Sequence, residues 1–182
     1  MPTEPITKLE AAERQMNEAI RLFFERRDIV AVHTLAAASD QVLSDLCVAK
    51  GIESPLRHDA YFIREEAHEK WFGVLKRAEN FFKHADRKPG GTLDFDTEQT
   101  MWFLFDATCL HWRLTNDLTH EATFFLCWIF LREPDLLRDC PFKQSLMNLS
   151  DSTNVTADDF DFFARLVTEG KGLAPRRFTF PV

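Results

Sequence analysis

Apolar residues at Leu9, Ala12, Met16, Ala19, Ile20 and Phe23 recur every three or four positions, the period of a helix with one buried face. Thr7 and Glu10 stand in a capping-box relation just ahead of them, so a first helix is predicted from there to about Arg27. Asp28 is placed to cap a second helix, "DIVAVHTLAAASDQVLSDLCVAKG", which Gly51 closes. Two long helices joined by so short a turn must fold back on each other as an antiparallel hairpin. Within the second helix, His33 and Asp40 lie seven residues apart on one side and are expected as a buried polar pair that fixes the hairpin.

Ser54 and Pro55 begin the next helical pattern, Pro suiting the first helical position. It continues to Asp86, with a break expected near residues 57–59, and "RKPGG" at 87–91 ends it. Asp96 or Thr97 opens a fourth helix, "TEQTMWFLFDATCLHWRL". Thr119 caps a fifth, "HEATFFLCWIFLRE", ended by Pro134. This fifth helix is apolar nearly all round, so it is either central in the bundle or covered by a second subunit. Residues 134–155 read as a loop with short helical pieces. Thr156 with Asp159 starts a last helix, "ADDFDFFARLVTE", and the tail "KGLAPRRFTFPV" is expected to be extended on the surface. No segment alternates in the manner of a strand. The prediction is an all-α antiparallel helical bundle of about five main helices with a C-terminal helix and an extended tail. It forms a single domain over residues 1–182, with a core within 8–130 and an extension over 131–182.

Eighteen Phe against one Tyr imply a core of rings with no hydroxyl to satisfy. The formal net charge of −7 argues against a broad nucleic-acid-coating surface but leaves room for a small basic pocket. Cys47, Cys109, Cys127 and Cys140 include no CxxC pair and are expected as free thiols. The start "MPTEPITKLE" carries no basic, apolar leader. The longest apolar run, "ATFFLCWIFL", has ten residues, about half of what a bilayer span needs. A cytoplasmic protein with no membrane partner is expected.

One stretch, "RAENFFKHAD" at 77–86, bears candidate chemistry. At about 100° per residue with Arg77 at zero, Ala78, Phe81, Phe82 and Ala85 fall within about 40–160°, the expected buried stripe. Asn80 and His84 fall at about 300–340°, next to Arg77, and Gly73 leaves the same edge open one turn earlier. Over 76–88 the basic residues Lys76, Arg77, Lys83, Arg87 and Lys88 outnumber Glu79 and Asp86 by five to two, reversing the sign of an acidic chain. Such a reversal points to an anionic ligand.

The opening hairpin, with its Ala-rich spacing, short "RRD" turn and Asp40 midway along the second helix, resembles the first two helices of HEPN domains (higher eukaryotes and prokaryotes nucleotide-binding). The resemblance spans roughly residues 8–130. It implies an all-α, often dimeric bundle. It also implies, for many members, a metal-independent endoribonuclease whose signature is Arg, four to six residues, then His. Arg77 and His84, six residues between them, fit that signature. The family often has a polar residue directly after the Arg, where this chain has Ala78 and places Asn80 third. On this reading Arg77, Asn80 and His84 are the catalytic candidates and Lys76, Lys83, Arg87 and Lys88 the substrate-binding ones, with no metal or cofactor. The spacing recurs in Arg113, Asn116 and His120, and in Arg27 with His33, but each of these spans an expected helix junction.

RNA cleavage through the ribose 2′-hydroxyl needs a base, an acid and a cation on the phosphate, roles within reach of His and Arg. Arg77 and His84 are about 10 Å apart along the helix axis, and helical side chains lean toward the N-terminus, so Arg77 leans away from His84. A two-fold homodimer would set paired groups around one phosphate. Three rival expectations stand beside this. Arg77 pairs with Glu66 or Glu69 as ordinary surface charge. Glu65 with His68, or Asp117 with His120, begins a metal-binding helical bundle. Or the chain is a non-catalytic HEPN-like dimeric module that docks a nucleotidyltransferase-type or other protein through its fifth helix and tail.

Overall fold

The computed structural model describes residues 3–52, 68–87, 89–134 and 141–169. The helix start at Ser54 and Pro55, the break near 57–59, Glu65 and Glu66, Lys88, Cys140 and the tail from 170 onward lie outside the described residues, as do the side chains of His68 and Glu69. The chain is an all-α bundle: α1 (Lys8–Phe24), α2 (Ile29–Val48), α3 (His68–Lys83), α4 (Gln99–Thr115), α5 (His120–Arg132), α6 (Pro141–Thr153) and α7 (Phe160–Glu169), with a 3₁₀ turn at Ala85–Arg87. No strand occurs among the described residues.

Local chemistry sets the helix ends. Thr7 Oγ accepts the Glu10 N–H at 3.2 Å, and the Glu10 carboxylate accepts the Thr7 N–H at 2.8 Å, completing the capping box. Asp28 Oδ1 accepts from Val30 and Ala31, and Thr119 Oγ from Ala122. At the far end of α2, Gly51 takes a φ of 70°. The Ile52 N–H donates to the Cys47 carbonyl at 2.9 Å and the Gly51 N–H to that of Val48 at 3.0 Å, the two bonds of a Schellman turn. A side chain at Gly51 meets no neighbour within 4 Å, so backbone strain alone opposes it. Gly51→Ala is therefore expected to lower stability by about 1 kcal/mol, read as a lower urea midpoint at unchanged m-value.

The α1–α2 hairpin forms as expected, tied by Ser39 Oγ donating to the Ala12 carbonyl at 2.8 Å. α4 lies along α2, and α3 packs on α2 at the periphery. α5 meets α1, α4, α6 and α7. Its buried residues include Phe125, Leu126, Trp128, Ile129 and Phe130, so of the two expectations for this helix the central position is the one found. Trp128, Phe24 and Phe163 are buried, and Phe23 and Phe160 are partly buried against them. Glu121, also buried, is ion-paired with Arg21 of α1. Cys47 is buried and Cys109 and Cys127 are half-buried, all free, and burial pushes the Cys127 thiol up to about 11.

α3 ends at Lys83, where the pattern was expected to run to Asp86, and gives way to the 3₁₀ turn; two further elements differ from expectation. Residues 141–153, expected as loop with short helical pieces, form the thirteen-residue helix α6. The Ser, Asn, Asp and Thr content of this stretch favours turns locally, but Leu146 is buried and Met147 packs against the core. That apolar contact overrides the local preference and brings the α-helices among the described residues to seven. α7 starts at Phe160, a turn later than expected, because the Asp159 carboxylate accepts from the Thr156 N–H at 2.7 Å and holds residues 156–159 in a closed turn.

His33 and Asp40 are both buried. His33 does not fix the hairpin, however: its Nδ1 lies 3.1 Å from Thr100 Oγ, tying α2 to α4. Phe82, Phe95 and Phe103 pack edge-on against its ring. Burial lowers the imidazole from the ordinary 6.5 to about 4. Between those values the unfolded chain binds a proton that the folded chain refuses, so stability falls as pH drops through this window. Going from pH 7.5 to pH 5 should cost about 2 kcal/mol from this residue alone, and His33→Gln should remove that part of the dependence in urea unfolding at the two pH values.

Candidate functional site

α3 carries the candidate residues because Ala78 is its inward anchor, buried at 2% exposure, which turns the opposite edge outward. Arg77 and Asn80 follow that outer edge. His84 stands one residue beyond the helix, where its N–H still donates to the Asn80 carbonyl at 3.1 Å. The 3₁₀ turn at Ala85–Arg87 follows, and residues of the 89–93 segment line one groove with the last turns of α3. This open groove, of about 470 Å³, is lined by Arg77, Asn80, Phe81, His84 and Arg87 together with Pro89, Gly91, Thr92 and Leu93.

Arg77, Asn80, His84 and Arg87 thus share one concavity. Among the described residues neither Arg77 nor Arg87 is in an ion pair, and both are exposed. His84 is 41% exposed, with Asp86 Oδ1 at 4.0 Å from its Nδ1, near enough for attraction and too far for a hydrogen bond. The other expected cations stand apart. Lys83 is held by Glu79 at 2.7 Å, Lys76 is exposed and does not line the groove, and Lys88 lies outside the described residues. An anion entering here would meet two guanidiniums, an amide and an imidazole. Gly73 leaves the edge open as expected, with nothing within 4 Å of where a side chain would start.

Two groove features were not foreseen. Phe81, expected in the buried stripe, is 39% exposed and lines the groove. At about 40° from Arg77 it sits on the border of the apolar sector, where either outcome is compatible with helical period. The helix stop expected at 87–91 contributes Pro89 and Gly91 to the groove, and Thr92 and Leu93, for which the sequence suggests no role, line it as well.

The alternative Arg–His spacings do cross junctions. α4 ends at Thr115, Asn116 takes a φ of 55°, and His120 opens α5 with its Nε2 donating to the Leu166 carbonyl at 2.7 Å. Arg27 lies in the turn before α2, and His33 is buried within it. His111, half a helix away, donates from Nε2 to Glu13 at 2.9 Å, a tie between α4 and α1. Among the described residues no group of three or more His, Cys, Asp or Glu is placed to hold a metal ion, and no helix is long and apolar enough to cross a membrane.

Set against models of protein families, curated proteins and solved structures, the chain matches none.

Proposed function

We propose that this protein is a HEPN-like, metal-independent endoribonuclease that works as a two-fold dimer through the α3 groove. One observation carries the reading: Arg77, Asn80, His84 and Arg87 line a single open concavity in which both guanidiniums are without carboxylate partners among the described residues. Two forks of N–H donors suit phosphate oxygens, and guanidinium stays charged through any working pH.

The chemistry follows from the groups present. An imidazole takes the proton of a ribose 2′-hydroxyl, and that oxygen attacks the adjacent phosphorus while arginine donors hold the non-bridging oxygens. The bond to the 5′-oxygen breaks, and a second imidazolium returns a proton to it. The products are a 2′,3′-cyclic phosphate and a 5′-hydroxyl. One copy offers one groove histidine, and Arg77 lies about 10 Å away from it along the axis. The two-fold partner supplies the second set. In this reading Asn80 orients His84 or the ribose.

The test is incubation of the purified protein with RNA in excess EDTA, with sedimentation run alongside. Cleavage ending in cyclic phosphates, by a dimer, is the expected result. A stable dimer that cleaves no RNA under any ionic condition would replace the nuclease with the non-catalytic interaction module.

A further inference from the structure

Phe81 is the aromatic member of the small set of large apolar side chains exposed among the described residues; the others are Ile6, Val30 and Val48. It is also the one that lines the basic groove. Its ring is buttressed: Phe82 meets it edge-to-face with centroids 6.0 Å apart, and Phe82 is in turn held by Phe95 at 5.2 Å and by His33 at 5.8 Å. Exposing a ring that could have turned inward has a cost in unburied apolar area. A rigid aromatic surface beside guanidiniums is also the recognised combination for unpaired nucleic acid: the cations take the backbone and the ring takes a base.

From this placement we infer that the groove selects single-stranded RNA by stacking one unpaired base on Phe81 while Arg77 and Arg87 hold the phosphate. The inference rests on the nuclease reading and deepens it by naming the form of the substrate. Stacking requires a base whose face is free, so paired stems are excluded and loops, ends and linear strands are admitted. Volume agrees. A groove of about 470 Å³ falls within the range of small-ligand sites, roughly 300–1,000 Å³, which is room for a nucleotide and too little for a duplex face. Charge agrees as well, because a chain of net −7 with a few local cations cannot rely on counterion release along a duplex backbone and needs a contact to the base. Leu93 and Pro89, which line the same groove, offer further apolar surface for a base.

The experiment uses two uncleavable 2′-O-methyl eight-nucleotide strands, one with bases and one abasic, with binding followed by fluorescence anisotropy in EDTA. Wild-type protein should bind the base-bearing strand about tenfold more tightly than the abasic one. Phe81→Leu, which keeps an apolar side chain at an exposed site, should erase that preference, and Phe81→Tyr should retain it. Arg77→Ala should weaken both strands alike. If Phe81→Leu keeps the full preference while Arg77→Ala weakens binding, stacking is overturned and the nuclease reading survives. If wild-type protein binds neither strand, both fail. If Phe81→Leu instead converts a dimer to monomer in sedimentation, Phe81 belongs to a contact between copies, and the stacking role is overturned.

Discussion

His84→Ala is expected to slow RNA cleavage in EDTA by about a hundredfold or more while leaving the urea midpoint within experimental error. The two halves of this expectation have separate physical grounds. His84 is 41% exposed, stands beyond the last residue of α3, and among the described residues its ionic neighbour is Asp86 at 4.0 Å. Truncating it removes no core contact and leaves no buried group without a partner. A general acid or base, by contrast, contributes typically 10²–10⁴-fold, all of it lost with the imidazole. If paired histidines act as base and acid, the wild-type kcat/KM profile is bell-shaped in pH, and any residual rate of the variant is not. Arg77→Lys adds an independent arm: the charge stays but the bidentate fork goes, so cleavage should fall while the salt dependence of binding persists. A His84→Ala protein as active as wild type would reduce the groove to a binding surface.

How far this could be read from residue order depends on the range of the determining interaction. The capping box at Thr7 and Glu10, the Asp28 and Thr119 caps and the Gly51 turn are each settled within about six residues, and each is found where expected. The gathering of Arg77 and Asn80 on one edge was legible for the same reason, since helical register fixes it, and His84 keeps that register through its N–H bond to the Asn80 carbonyl. Long-range contacts were not legible. α6 is helical because Leu146 is accepted into a core assembled from other helices. His33 bonds Thr100, sixty-seven residues away, where its own helix suggested Asp40. Phe81 lay on the border of the stripe, and which way it fell was decided by the packing of Phe82 against Phe95 and His33, again across elements. The rest of the groove lining depends on where the chain goes after Pro89, information held in the position of α4.

Truncating Trp128 to alanine is expected to cost about 3–5 kcal/mol, the largest loss of stability from any single substitution considered. Trp128 is fully buried and sits among Phe23, Phe24, Phe125 and Phe160 at centroid distances of 5.1–5.8 Å. Its Nε1–H donates to the Ala157 carbonyl at 2.9 Å, and the Arg132 guanidinium lies 5.6 Å from the ring. The indole therefore joins three things: the hairpin through Phe23 and Phe24, its own helix α5, and the segment that leads into α7. Alanine opens a cavity among rings that cannot collapse into it, and orphans the Ala157 carbonyl. Trp128→Phe keeps most of the volume and removes the bond, so its smaller cost, about 1–2 kcal/mol, separates the two contributions. Because α7 is held to the bundle through Phe160 against this indole and Phe163 stacked on Phe24, its amides should lose hydrogen-exchange protection before those of α1 and α2 in either variant. A loss below 1 kcal/mol for Trp128→Ala, or uniform deprotection of all helices in Trp128→Phe, would mean the ring cluster is not what fastens α7 to the hairpin.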